Sequence, residues 1–449
     1  MKILLARLMA PNKLSFTGIL DNEPLELEYL HTALMENGYE DYIFDGMVEK
    51  LPFKTVMERE NPDIVAITGY ISQENQMKKF AQTAKDFNLD IITIVGGVHA
   101  QLNYERFYCE GIDYIARSEC MSAFIELIKY IETKEGDASK INGLCHKSGG
   151  NYIVNEFTPI DINTLPIPER SHFYKYKDKF RYLDLTPVAT VKLSFSCPYD
   201  CNFCYCTLLG GSKYSTRDLG LVVDEIENID CENIQIADDD FLVDKARISK
   251  FIKMIRERNI KKNFICYTRA DFVAANPEII EELADIGFKY FLVGLEAVND
   301  HALLSYNKKT TDEINRKCVE NINRTKGQCV GLFMVGIDAT KKDFEDIVIW
   351  AEDTGIKHVT VSIFTPIPGT QLYEDNKHLI TSDNIEDWDF LHLVMEPTNM
   401  SRMEFYYEYY KMFMKLYDIA KKTNIYDFMD LDFYKKMLGN YLKTKMTGI

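Results

Sequence analysis

The chain has 449 residues, 46% hydrophobic and 27% charged, an ordinary globular profile with room for roughly two to four domains. A formal net charge of −17 argues against a phosphate-backbone partner, which needs clustered Lys and Arg, so no nucleic acid is expected. No apolar run reaches the roughly eighteen residues of a membrane span, and the stretch from Met1 to Arg7 is too short for a signal peptide. Eleven cysteines, an odd number, favour a reducing compartment, so a cytoplasmic protein is expected.

Strand-like and helix-like runs alternate over residues 1–140. Residues 2–8 are apolar, and 25–37 carry Leu27, Leu30, Leu34 and Met35 at helical spacing. Strands are predicted at 40–44, 63–68, 90–95 and 113–115, and helices at 74–87 and 121–133. The alternation implies a parallel sheet with helices on both faces, a Rossmann-like α/β domain. Ligands of such sheets bind beyond the carboxyl ends of the strands. Thr68, Gly69 and Tyr70 close one strand there; Gly96, Gly97, Val98 and His99 close another. Paired glycines let backbone approach a flat cofactor, although a turn needing positive φ also explains them. No Gly-x-Gly-x-x-Gly follows the first strand, which disfavours a nicotinamide site. His99 is a candidate ligand, with a hydrogen-bonded structural histidine as the plainer alternative.

Residues 141–187 read as a linker strap, with Gly149-Gly150 and Leu165-Pro166-Ile167-Pro168 giving turns and extended backbone. From 188 to 380, six strand-like runs begin near 188, 233, 263, 289, 328 and 358 with helices between them: a partial (β/α)6 barrel of the TIM type. Functional groups of such barrels lie at the C-terminal ends of the strands. That rim gathers Asp238-Asp239-Asp240, Arg269, Gly294-Leu295-Glu296 and Thr365-Pro366-Ile367-Pro368. Each is ordinary alone: Asp runs cap helices, and Arg269 can pair with Asp271.

At the same rim, after the first of the six strands, stands Cys197-Pro198-Tyr199-Asp200-Cys201-Asn202-Phe203-Cys204-Tyr205-Cys206. Cys197, Cys201 and Cys204 can bind three corners of an iron–sulfur cube and leave one iron open. A structural zinc would want a fourth ligand; Cys206 is adjacent, but a tight loop points it elsewhere, so it reads as a bystander. Unremarkable buried cysteines are the plain alternative. The open iron wants a chelating amine and carboxylate, and S-adenosylmethionine (SAM) carries both. Its ammonium would suit Asp238 or Asp239, its carboxylate Arg269, its ribose Glu296, and its adenine a slot by Phe203 and Pro366.

The Cys-x3-Cys-x-Phe-Cys loop, the rim and the six βα units together resemble the radical SAM superfamily. Val95-Gly96-Gly97-Val98-His99, followed by Asp113-Tyr114-Ile115-Ala116-Arg117 and Glu119, resembles the cobalamin-binding domain carried by one branch of it. The resemblance implies a [4Fe–4S] cluster, SAM and cobalamin, with Thr68, Gly69, Tyr70, Gly96, Gly97, Val98 and His99 against the corrin. It implies reductive cleavage of SAM, hydrogen abstraction from an unactivated carbon by a 5′-deoxyadenosyl radical and, in this branch, frequent transfer of a methyl group from cobalt. A small-molecule substrate would lie between the cofactors, and an external one-electron reductant such as flavodoxin or ferredoxin would supply electrons. Rearrangement or cyclisation without methyl transfer is the alternative enzyme reading; a corrinoid- or cluster-binding sensor is the non-enzymatic one. Sulfur insertion would want a second cluster, and Cys109, Cys120 and Cys145 lack a compact spacing. Residues 381–449 read as a C-terminal helical extension whose aromatic stripe, Phe405 to Tyr417, is core packing with a cap over the substrate as its other use.

Overall fold

A computed structural model describes residues 1–9, 20–118, 121–422, 426, 436 and 439; Glu119 and Cys120, named above, lie outside the described residues. The first sheet has seven strands: β1 (Lys2–Arg7), β2 (Glu40–Asp45), β3 (Ile64–Thr68), β4 (Ile92–Gly96), β5 (Tyr114–Ala116), β6 (Leu144–Ser148) and β7 (Asn151–Val154). Their spatial order is β2-β1-β3-β4-β5-β6-β7, and the first five are parallel. Successive side chains of a strand point to opposite faces, and a parallel sheet must be covered on both. Accordingly Leu4 and Ala6 join one apolar cluster, with α2 (below), while Ile3 and Leu5 join another. Helices α1 (Leu25–Glu36), α2 (Glu74–Phe87), α3 (Gly97–Leu102) and α4 (Met121–Thr133) follow in the chain, α1 and α4 packing on the second face.

The stretch expected to be pure linker contributes β6 and β7, which extend the sheet antiparallel to β5. Gly149 and Gly150 turn this hairpin at φ +58° and +87°, the two positive values that a two-residue hairpin turn of this hand requires. The strands are short, and β7 runs Tyr152-Ile153-Val154 with Ile153 and Val154 exposed, so they carry no alternation to read. The remaining strap runs on to the second sheet.

That sheet holds β8 (Val188–Val191), β9 (Asn233–Ile236), β10 (Asn263–Arg269), β11 (Phe288–Glu296), β12 (Gln328–Val335) and β13 (His358–Ile363), all parallel and in sequential order. Among the described residues no pairing joins β8 to β13, so the barrel is partial. Helices α5 (Leu219–Asn228), α6 (Lys245–Glu257), α7 (Pro277–Asp285), α8 (Asp312–Asn323) and α9 (Lys341–Thr354) cover its outside. Their starts are set locally: Asp218 and Asp244 accept from the first-turn N–H groups of α5 and α6, and Thr340 with Asp343 forms a capping box on α9. The tail helix α10 (Arg402–Ala420) packs on α9, with Phe405 edge-on to Phe344 at 5.1 Å and Tyr409 donating to the Val361 carbonyl at 2.7 Å. Phe405, Tyr406 and Tyr409 of its aromatic stripe are therefore core, while Tyr407 is exposed. No helix among the described residues is long and apolar enough to cross a membrane.

The strap ties the two sheets through buried charge. Arg170 reaches Glu23, just before α1, at 2.6 Å, Glu225 of α5 at 2.8 Å, and the Thr190 carbonyl of β8 at 2.9 Å. Arg217 holds the other oxygen of Glu225 at 2.8 Å. Glu28 of α1 lies 3.6 Å from Arg170. Three carboxylates and two guanidiniums thus meet away from water at the junction.

Candidate functional site

The C-terminal edges of both sheets open onto one cavity of about 690 Å³. From the first sheet it is lined by Thr68, Gly69, Tyr70, Gly96, Gly97 and Val98; from the barrel rim by Lys192, Phe195, Ser196, Ala237 and Asp239. The cavity also runs inward between β3, β4, α1 and α4, past Leu30, Ala66, Ile94, Phe124 and Leu127. Protein interiors pack like organic crystals, so a recess of this kind, walled by core-type side chains, is a ligand's space. Cobalamin combines a flat macrocycle with a pendant aromatic base, and the chain offers a flat edge and an apolar recess. Gly97 has φ +85°, and a Cβ there would come within 2.4 Å of Thr68 Oγ1. Glycine is obligatory at that edge.

His99 is a correction. It is buried and does not line the cavity; its Nε2 lies 2.8 Å from Glu74, and its Nδ1 3.3 Å from the Asn103 amide. Glu74 also takes Arg106 at 2.5 Å and Lys78 at 2.7 Å. Burial pushes this carboxyl up, but hydrogen bonds from His99, Arg106 and Lys78 outweigh it and hold Glu74 down at about 2. The imidazole thus props the β4–α3 turn from behind.

The cysteine loop leaves β8 through Ser194-Phe195, which pairs antiparallel with Ser215-Thr216. Cys197, Cys201, Cys204 and Cys206 are all partly buried free thiols. Burial pushes Cys197 up to about 12 and also raises Cys201, while a hydrogen bond from Cys206 lowers Cys204. Cys206 is therefore closer than sequence reading had it: its thiol touches that of Cys204. Among the described residues no three His, Cys, Asp or Glu side chains gather tightly enough for a single ion. A cube asks for something else: each thiolate binds a different iron, so the sulfurs must ring a space instead of meeting at a point. Three half-buried thiols on one rim loop, two of them influenced by their neighbours Lys308 and Asp239, fit such a ring.

The acids of the rim, in the loop just past β9, take different places. Asp238 is buried and accepts from Leu193 N at 2.7 Å, Ser194 N at 3.0 Å and Ser194 Oγ at 2.7 Å. It shapes the start of the cysteine loop, which removes it from the expected SAM contacts. Asp239 faces the cavity. Asp240 is buried again, and burial raises it to about 7; its Oδ2 has no hydrogen-bond partner among the described residues. Arg269 is largely spoken for: Nε and NH2 hold Asp271, NH2 also donates to the Lys308 carbonyl at 2.6 Å, and Tyr199 stacks on it at 3.9 Å. Only NH1 turns to the loop, 3.5 Å from Cys201 Sγ. Glu296 ends β11 at φ +62°, in a bulge against β12, and pairs with Lys308 at 2.8 Å. Phe203 meets Tyr306 edge-on at 5.7 Å. The Pro366 loop reaches the cysteine loop as well: Leu372 N donates to the Asn202 carbonyl at 3.0 Å, and a Cβ on Gly369 would sit 3.1 Å from Leu208. Sequence reading missed Tyr199, within the cysteine loop, and Lys308 and Tyr306, whose place at the rim depends on the chain's return from β11.

Comparison with known proteins agrees with this architecture. Residues 191–351 match the radical SAM superfamily model, and residues 18–128 match the B12-binding domain model. The fold and site define a protein that sets a radical SAM barrel against a cobalamin-type sheet. The chain belongs with the radical SAM proteins that carry a B12-binding domain, a class of enzymes whose cofactors are a [4Fe–4S] cluster, SAM and cobalamin. Such enzymes act on small molecules and need electrons from outside. Among its relatives is the hopanoid C-3 methylase of Methylococcus capsulatus, 25% identical over 414 residues, covering 91% of this chain and 79% of that one. Another is the anaerobic magnesium-protoporphyrin IX monomethyl ester cyclase of Rubrivivax gelatinosus, 25% identical, covering 85% and 71%. The solved structure of the cobalamin-dependent SAM radical enzyme OxsB superposes with a TM-score of 0.73 at 16% identity, over 92% of this chain but 66% of its own length. The radical SAM methyltransferase TsrM of Kitasatospora setae gives 0.70 at 15% identity, over 93% and 88%.

Proposed function

We propose that this chain is a cobalamin-dependent radical SAM C-methyltransferase acting on an unactivated carbon of a small molecule. The observation that carries the reading is the single cavity bounded on one side by Thr68–Tyr70 and Gly96–Val98 and on the other by the barrel rim. In this reading Cys197, Cys201 and Cys204 hold the cluster, and Asp239, Glu296, Phe203 and Pro366 hold SAM, with Arg269 bracing the loop. Thr68, Gly69, Tyr70, Gly96, Gly97 and Val98 form the bed for the corrin. When bound, the cluster supplies the electron that cleaves SAM and cobalamin carries the methyl group. The chain's own work is positional. The Gly96–Gly97 edge admits a planar group, the rim acids orient an ammonium and a ribose, and the enclosing sheets keep water from the reacting atoms. Flavodoxin or ferredoxin would serve as the reductant.

Methylation is favoured because relatives over most of the chain are named as methylases. Cyclisation without methyl transfer has support from relatives named as cyclases. Anaerobically reconstituted protein, incubated with methyl-labelled SAM, cobalamin and a low-potential reductant, separates the readings. Label on cobalt together with 5′-deoxyadenosine release is expected. A protein that takes up cluster and corrin yet never cleaves SAM would overturn the proposal.

A further inference from the structure

We infer that Lys308 is a positioning residue of the cluster site: its ammonium holds Glu296 toward the open corner and provides a fixed positive charge beside Cys201. The inference rests on the cluster assignment proposed above and concerns residues that no part of the family resemblance singled out.

The observations converge on the turn after the short helix Asp300–Ser305. This turn is stitched to the cysteine loop. The Tyr306 carbonyl accepts from Asn202 N at 3.1 Å, and the Ser305 carbonyl from the Asn202 amide at 3.2 Å. Asn307 donates to the Asp200 carbonyl at 2.9 Å, and Lys309 pairs with the Asp200 carboxylate at 2.6 Å. Between these contacts Lys308 points the other way, inward. Its flanking residues Asn307 and Lys309 sit at φ +51° and +58°, left-handed values that a lysine rarely adopts. The backbone is bent twice to turn one side chain into the protein.

There the ammonium meets Glu296 at 2.8 Å, with the Lys308 side chain only 7% exposed. Space for the pair depends on Gly294, where a Cβ would come within 2.5 Å of Glu296 Oε1 and 2.8 Å of Lys308 Nζ. Arg269 joins the same group, with one nitrogen on the Lys308 carbonyl and another on Cys201 Sγ. Lys308 and Arg269 both bring positive charge to the Cys201 thiol. A lysine is almost never buried without a charge to answer, and one partner carboxylate leaves the site no surplus of positive charge. Three thiolates add the negative charge that a second nearby cation offsets. Cluster potential follows net charge and hydrogen bonding at the sulfurs, so Lys308 favours the reduced state.

The test is a potentiometric titration, followed by electron paramagnetic resonance, of the full-length reconstituted protein, with SAM affinity measured on the same samples. Lys308→Met should keep its iron and sulfide content, shift the midpoint to a more negative value and weaken SAM binding by roughly tenfold, the loss of one charge-assisted contact. Lys308→Arg should restore the potential toward wild type. A Lys308→Met protein with full cluster, an unchanged midpoint and SAM affinity within about twofold of wild type would overturn the inference. If that variant loads no cluster, Glu296→Gln decides. Removing the negative partner should move the midpoint the opposite way, and an unmoved midpoint would refute it. Wild-type protein that takes up no cluster at all would instead refute the site assignment, a result recognisable before any variant is made.

Discussion

Arg170 is the side chain whose loss should cost this fold most for its size. It is 5% exposed and has no water to fall back on. Replacing it by Met leaves Glu23, Glu28 and Glu225 facing one another with Arg217 as the remaining cation, and strands the Thr190 carbonyl. Breaking a buried ion pair on one side costs about 3–5 kcal/mol, because a desolvated charge is left behind. In a protein of this size that corresponds to a fall in melting temperature of about 3–5 °C. The effect carries a pH signature. Burial already holds Glu23 and Glu28 above the ordinary carboxylate range. The stability they allow is intact below the unfolded glutamate value of about 4.3 and declines as pH rises through their raised folded values. Removing Arg170 raises those values further, so the deficit should widen as pH rises above the unfolded glutamate value. Thermal denaturation followed by circular dichroism at rising pH measures it. Adding Glu23→Gln and Glu225→Gln to Arg170→Met should recover part of the loss, since fewer charges are then left bare. A pH-independent loss, or a combination worse than the single change, would refute the reasoning.

Other substitutions separate the parts of the site. Gly97→Ala drives a methyl into Thr68 Oγ1 at a positive φ, so it should lose about 1–2 kcal/mol and most corrin binding, read from visible absorbance after cobalamin loading; wild-type corrin uptake would refute the cradle. His99→Ala should lower stability by about 2–4 kcal/mol by undoing the Glu74 cluster, while the bound corrin spectrum stays as in wild type; a changed spectrum would return His99 to the cofactor. Glu74 is held low, so its contribution is present above the ordinary glutamate value and is lost as pH falls through about 2. The stability gap between wild type and Glu74→Gln should therefore close as pH is lowered. Combined Ala replacement of Cys197, Cys201 and Cys204 should abolish the charge-transfer absorption of the cluster, and its retention would refute the ligand assignment.

Much of the architecture was legible because its signals are local. The helix over residues 74–87 and the six barrel strands follow from apolar runs, caps and turn residues that neighbours in sequence decide. The β6–β7 hairpin escaped because its short strands show no apolar–polar alternation. The rim was legible by residue type but not by role. In Asp238-Asp239-Asp240, just beyond β9, the folded loop turns the middle carboxylate to the cavity and buries its neighbours, a division that residue type does not display. The sequence leaves His99 between ligand and structural histidine, and only the fold decides for the second, because Glu74 lies 25 residues upstream. Lys308 looked like any solvated lysine until its turn was bent inward.

The gap between β8 and β13 has a mechanical meaning. A ring of strands without hydrogen bonds at one seam has to be closed by other means, or it flexes like an open clip. Asn202 bridges the seam at the rim: it gives its N–H to the Tyr306 carbonyl and takes the Leu372 N–H on its own carbonyl. Loops that follow the fourth and sixth strands are thereby hooked to the loop that follows the first.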